Sequence, residues 1–230
     1  MGQGGITDAL GYNTEQVEAI GDGINKYASQ TGELIVTSIK NNIVDKVAED
    51  WVSEAAVEYF ENFKQKLKGH EERITDVFRA FSKSVGQGGE NWSTTTKGTA
   101  PTMPEVENVT LDLDISSIRA TDGNGDRYMY ENIEENVNSY VENSRTEILS
   151  GFSNMESEIN GDAAFFGAGQ SEALQEAARS LGDEVNNILD EIISGDDESL
   201  ISRIQYFKTQ YSETATQNTT LFENSAFTEE

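Results

Sequence analysis

The chain has 230 residues, 16 of them basic and 42 acidic, for a formal charge of −26. Both halves share the acidic excess, which repels nucleic acid and anionic lipid and suits a well-solvated secreted or salt-tolerant surface. Cysteine is absent, excluding disulfides, thiolate metal sites and a cysteine nucleophile, and no stretch approaches the ~20 apolar residues of a membrane span.

The opening Met1-Gly2-Gln3-Gly4-Gly5 has no basic start followed by an apolar run, so any export is expected to proceed without an ordinary signal peptide. From about Asn13 to Glu49, Val17, Ile20, Ile24, Tyr27, Ile35, Ile39, Ile43 and Val47 recur at helical spacing. Asn13 is the predicted N-cap, with Gln16 completing a capping-box pattern. Gly21, Gly23 and Gly32 either weaken this helix locally or admit another helix at close range.

The stretch Asp50-Trp51-Val52-Ser53-Glu54-Ala55-Ala56 interrupts the pattern. A bulky aromatic, a small residue two places on and an Ala-rich start read as the bend of a helical hairpin. Ser53 is placed to cap the second arm. That arm carries Ala56, Phe60, Phe63, Leu67, His70, Ile74, Val77 and Phe81 in alternating steps of four and three, a heptad seam. The signal fades at Gly86-Gln87-Gly88-Gly89, with Trp92 expected to cap the end.

The two prolines, Pro101 and Pro104, mark a connector over about residues 96–126, separating a first hairpin (1–95) from a second (127–230). Within it Val109, Leu111, Leu113 and Ile115 alternate with polar residues, as an extended segment laid on the helices or a short strand would. Asp122-Gly123-Asn124-Gly125-Asp126 is a turn cluster. Asp122, Asn124 and Asp126 match the first oxygens of a calcium loop, but Arg127 stands where glycine belongs and Ile133 where glutamate belongs. A plain turn capping the third helix and a weak divalent-cation site both remain open.

The third helix is expected to carry Tyr130, Ile133, Val137, Tyr140, Ser144, Ile148, Phe152, Met155 and Ile159, ending at Asn160-Gly161-Asp162. A second bend follows at Phe165-Phe166-Gly167. Aligning Phe165 with Trp51 sets Gly167 on Ser53 and Leu174 on Phe60, which suggests a duplicated hairpin. The fourth helix carries Leu174, Ala178, Leu181, Val185, Ile188 and Ile192. Its register jumps at Ser194-Gly195-Asp196-Asp197 and resumes at Ile201, Ile204, Phe207 and Tyr211. The tail after Thr216 is polar and expected to fray, with Leu221, Phe222 and Phe227 as docking residues.

The expected fold is all-α: two long antiparallel hairpins forming a four-helix bundle, with an extended connector. No catalytic constellation appears. His70, the one histidine, falls on the seam as a core or half-buried polar residue, and no nucleophile elbow or phosphate loop is present. No cofactor is expected.

The Trp51 stretch resembles the bend of the Trp-x-Gly (ESAT-like) family, small helical-hairpin substrates of type VII secretion that dimerise into four-helix bundles. Trp51, Ala55, Ala56 and Phe60 match its pattern, with Ser53 in place of the glycine. In the second half Gly167 matches and Phe165 replaces the tryptophan, beside Phe166. The resemblance implies a non-enzymatic, secreted or surface-exposed tandem hairpin, cytoplasmic before export, whose partners are a secretion ATPase or a larger cognate substrate. A structural or scaffold protein that self-associates is the alternative. The family's export signal, Tyr followed four residues later by Asp or Glu after the last helix, is missing: Tyr206 is followed by Gln210 and Tyr211 by Ala215. Tyr130 and Glu134 have the spacing, but at the start of a helix, so a partner is expected to supply the signal.

Overall fold

A computed structural model describes residues 9–157, 159 and 161–224. The expectations for Met1 to Gly5, Asn160 and Phe227 lie outside these residues. The first helical run comprises α1 (Thr14–Ile39), a π-helical stretch (Lys40–Val44) and α2 (Asp45–Asp50). Asn13 is extended and its side chain accepts the Gln16 N–H, as the capping pattern predicts. All eight stripe residues are buried. Beside the π-helical stretch, buried Ser38 Oγ lies 3.1 Å from the Ser144 carbonyl and 3.0 Å from Glu147 Oε2, tying this run to the third expected helix.

After a short strand at Trp51–Val52, the second run splits into α3 (Glu54–Lys68) and α4 (Glu71–Thr96). The break at Gly69 and His70 interrupts the seam that the sequence reads as continuous. Glycine is a poor helix former, and His70 closes the gap with Nδ1 2.9 Å from the Lys66 carbonyl. The register shifts across the break, so Phe78 is buried and Val77 half-buried. His70 itself is half-buried. The helix then continues through Gly86, Gly88 and Gly89 to Thr96, past the end that the glycines suggest.

Gly86 and Gly89, like Gly21 and Gly32 of α1, make room for the connector, while Gly88 faces Phe165. A Cβ at Gly89 would lie 2.4 Å from Pro101, one at Gly86 2.7 Å from Met103, one at Gly21 2.8 Å from Pro104 and one at Gly32 2.3 Å from the Thr110 carbonyl. The close neighbour is thus the extended connector, and not another helix. Its Val106, Val109, Leu111 and Leu113 are buried in the groove between α1 and α4. Among the described residues no neighbouring strand pairs with this stretch. Helix side chains accept its N–H groups instead: Glu18 that of Thr102, Asn25 that of Glu107, Thr75 that of Val109 and Glu71 that of Leu111, at 2.7 to 2.9 Å. The Val109 and Leu111 donors are at least partly buried and need such acceptors, which accounts for Thr75 and Glu71 on the face of α4 that meets the connector.

The remaining helices are α5 (Ile133–Ser157), the single turn α6 (Gly161–Ala164), α7 (Gln170–Ile193) and α8 (Leu200–Asn224). Tyr130 precedes α5 and is 53% exposed, outside the stripe expected of it. The predicted break after Ile193 is present, with Ser194 to Ser199 forming turns. The polar tail stays helical as far as Asn224, where fraying is expected, and Leu221 and Phe222, expected to dock, are 58% and 69% exposed.

Among the described residues the fold is all-α, with five helices of 24 residues or more and two two-residue strand pairs instead of a closed sheet. α1 packs on α4 and α5, α7 packs on the same two, and α8 lies on α5 and α7. One continuous apolar core joins these helices and the connector. Each large side chain fully buried there contributes about 1.5–3 kcal/mol, far above a surface charge pair.

Candidate functional site at the two bends

Each bend is completed by the other half of the chain. The Trp51–Val52 strand pairs antiparallel with Tyr128–Met129, the lead-in to α5, and the Phe165–Phe166 strand pairs with Gly11–Tyr12, the lead-in to α1. The next bond matches too: the Tyr130 N–H donates to the Asp50 carbonyl at 2.9 Å and the Asn13 N–H to the Ala164 carbonyl at 2.8 Å. Trp51 and Phe165 therefore occupy corresponding positions in the two pairings.

At the first bend Trp51, Ala56 and Phe60 are fully buried. The Trp51 ring lies 4.9 Å from Phe207 and 6.3 Å from Tyr59. Among the described residues neither Trp51 Nε1 nor the Tyr59 hydroxyl has a hydrogen-bond partner, and burial holds the Tyr59 pKa well above its ordinary value. Ser53 is extended, and its hydroxyl accepts the Ala56 N–H at 3.2 Å, the N-cap that the sequence predicts.

The second bend is built differently. Gly167, Ala168 and Gly169 have φ of +79°, +53° and +72°, and a Cβ on Gly167 would lie 2.4 Å from the Ala9 carbonyl oxygen. Left-handed backbone and close approach together require glycine at 167. Ser53, aligned with it in sequence, meets neither condition. Phe165 is buried with its ring on α4 at Gly88; Phe166 is half-buried and covers Gly11. Leu174 is half-buried and lines a groove with Phe165. Trp92, expected at the end of the bundle, stacks 6.5 Å from Tyr12 and donates from Nε1 to Gln170, whose amide in turn donates to the Phe166 and Gly167 carbonyls.

Charged groups at the first bend escape the sequence reading. Arg127 forms a two-pronged contact with Glu54, and that guanidinium holds the Glu54 carboxyl at about 2. Asp50 is 8% exposed; its Oδ2 accepts from Asn136 at 2.9 Å and from the Tyr140 hydroxyl at 3.0 Å. Burial, and then the bond to Asp50, push the Tyr140 pKa up to about 12. A signal was available: Asp50 is acidic in the place just before Trp51, where the helical stripe meets a buried aromatic. The lead-in strands also share a pattern, an extended pair containing tyrosine one to three residues before a long helix.

In the Asp122 turn, one carboxylate oxygen accepts the Asn124 and Asp126 N–H groups at 2.8 and 2.9 Å, and these bonds lower its pKa. That carboxylate closes its own Asx turn. Among the described residues no group of three or more His, Cys, Asp or Glu is placed to hold a metal ion. No helix of the described residues is long and apolar enough to cross a membrane. No protein-family model, curated protein or solved structure matches this chain.

Proposed function

We propose that the protein is a non-enzymatic component of a type VII-like secretion pathway, a tandem of Trp-x-Gly-like hairpins that forms within one chain the four-helix bundle its relatives form as dimers. The observation carrying this reading is the reciprocal pairing of each bend with the other half's lead-in strand. Two hairpins packed head to foot, each finishing the other, are what fusion of a hairpin dimer produces. Tethering raises the effective concentration of the second hairpin into the millimolar range for short linkers.

The projecting end of α8 is the surface offered to the pathway. In the first half the chain beyond Thr96 turns back into the groove between α1 and α4, whereas in the second half it continues as helix, with residues 212–223 exposed. Such an end suits presentation to the secretion ATPase or docking with a larger substrate that carries the export signal. In this reading the chain is cytoplasmic until exported and then secreted or surface-exposed.

The test is export of the tagged full chain by its own host, with and without the secretion ATPase gene, followed in culture supernatant and cell wall. ATPase-dependent export, reduced by truncation after Tyr211, is expected. Equal export in both strains, or retention in the cytoplasm with no ATPase or substrate co-purifying, refutes the proposal.

A further inference from the structure

A pocket of about 650 Å³ lies between α3 and the first turns of α8, beside the first bend. That is an ordinary volume for a small-molecule site. Tyr59, Phe63, Tyr206 and Phe207 line it with aromatic rings, and Lys66 and Arg203 bring two cations to it. Glu58 and Glu198, both exposed, stand on its rim.

Two buried donors at this place have nothing to donate to. Trp51 is fully buried and Tyr59 is 8% exposed, yet among the described residues neither the indole Nε1 nor the hydroxyl has a partner. Buried donors are seldom left so, because an unmade hydrogen bond costs more than a made one returns. The two rings lie 6.3 Å apart, and Phe207 packs on both, 4.9 Å from Trp51 and 6.5 Å from Tyr59. Burial raises the Tyr59 pKa, so the hydroxyl stays a donor, and the charges of Arg203 and Glu198 act on it, which sets it on the pocket side. Arg203 is a third donor without an acceptor. Its guanidinium lies over Tyr206 and Phe207, 5.0 and 5.5 Å from their ring centres, and makes no side-chain hydrogen bond among the described residues. Its ion-pair partner Glu198 is 3.6 Å away and two-thirds exposed, a contact that contributes little and exchanges readily.

We infer that this pocket binds a small aromatic monocarboxylate, its carboxylate taking the Tyr59 and Arg203 donors and its ring lying against Phe63 and Phe207. A carboxylate only accepts, through two oxygens, and so supplies what a hydroxyl and a guanidinium both lack. Arg203 and Lys66 repel a cation. A dianion is disfavoured by Glu58 and Glu198 on the rim, and by Asp196, 3.8 Å from Lys66. Half-buried Phe207 separates the pocket from Trp51, and it is the side chain that gives way as a carboxylate oxygen reaches the sealed hydroxyl. The site does not depend on the proposed secretion role.

Titration of the full chain with phenylacetate, followed by calorimetry and by the two indole N–H resonances, tests this. Saturable binding is expected, at least about tenfold tighter than for phenylacetamide, which has the same shape and no charge. Acetate, lacking the ring, and phthalate, a dianion, are expected to bind at least as weakly as the amide. The Trp51 indole resonance is expected to move while that of Trp92 stays. Tyr59→Phe removes only an unpartnered hydroxyl, so it is expected to melt no lower than the parent while binding phenylacetate about tenfold more weakly. Arg203→Gln is expected to weaken binding as much. An acetylated dipeptide ending in phenylalanine carries the same group, and its binding more tightly than phenylacetate assigns the pocket to a peptide C-terminus and overturns the small-molecule reading. Absence of saturation, equal affinity for acid and amide, or unchanged binding in either variant also overturns the inference. ATPase-dependent export is read separately, so either proposal can fail without the other.

Discussion

Two glycines of α1 are predicted to respond in opposite directions to the same substitution. A Cβ at Gly23 would meet only Tyr27, at 3.7 Å, which is ordinary contact. Gly23→Ala therefore gains the helix-propensity difference of about 0.8–1.0 kcal/mol. For a chain of this size that raises the melting temperature by about 2–4 °C. At Gly32 the added carbon would lie 2.3 Å from the Thr110 carbonyl oxygen and 3.2 Å from its nitrogen, both backbone atoms. The connector must retreat by about an ångström, as overpacked sites generally require. Thr110 sits between Val109 and Leu111, whose N–H groups are held by Thr75 and Glu71. Losing those two bonds costs about 0.5–1.5 kcal/mol each, and part of the 1.5–3 kcal/mol from burying Leu111 is lost as well. Less the propensity gain, Gly32→Ala is expected to destabilise by about 1–3 kcal/mol, lowering the melting temperature by about 2–12 °C. Calorimetry of the two variants beside the parent, in one buffer, decides it. A Gly32→Ala protein melting as high as Gly23→Ala shows that the connector does not sit in the groove as described.

Trp51→Ala is expected to cost about 3–5 kcal/mol by urea denaturation, the usual penalty for emptying an aromatic site. Trp51→Phe is expected to stay within about 1 kcal/mol of the parent, because it removes an indole N–H that lacks a partner and so offsets the lost volume; a loss as large as for alanine contradicts this. Arg127→Ala tests the Glu54 contact by pH. The folded carboxyl titrates near 2, below its ordinary 4.5, so the stabilisation is present above about 4.5 and disappears as pH falls toward 2. The melting-temperature gap between parent and variant is expected to close over that window and in 1 M salt; a gap that persists at pH 2 assigns Arg127 a different role. Tyr140→Phe deprives the buried Asp50 carboxylate of one of its two donors and is expected to destabilise by about 1.5–3 kcal/mol. In ultraviolet titration the same variant is expected to lack a tyrosine ionisation near pH 12, whose survival would place that ionisation on another residue.

The helical stripes were legible because burial on one face repeats with the helix period: Val17 through Val47, and Leu181, Val185, Ile188 and Ile192, are all core residues. Asn13 and Ser53 were legible as caps because a short acceptor before an apolar run has few other uses. Glycine was misread. Gly86 and Gly89 look like the end of a helix in a local reading, while their function depends on Pro101 and Met103, which pass over them only in the folded chain. The strand pairs at the bends were invisible for a similar reason, since two-residue strands have no periodicity and their partners lie far away in sequence. The break at His70 was hidden because the three-and-four spacing continues across it, although in the structure the register has moved from Val77 to Phe78. At the bends, the aromatic positions were readable from residue type, but the Asp50, Asn136 and Tyr140 contacts depend on packing between α2 and α5.

A connector whose apolar side is laid into the groove between two helices acts as a spacer of fixed length. Unlike a surface loop, it gives an inserted tag or protease site between Pro101 and Leu113 nowhere to go without emptying the groove it fills. Insertions are better accommodated near Gly123, where even an added Cβ meets nothing within 4 Å. A break in the chain there would leave 9–122 and 124–224 still clasped through their bends, so a nicked molecule is expected to migrate intact until it is denatured.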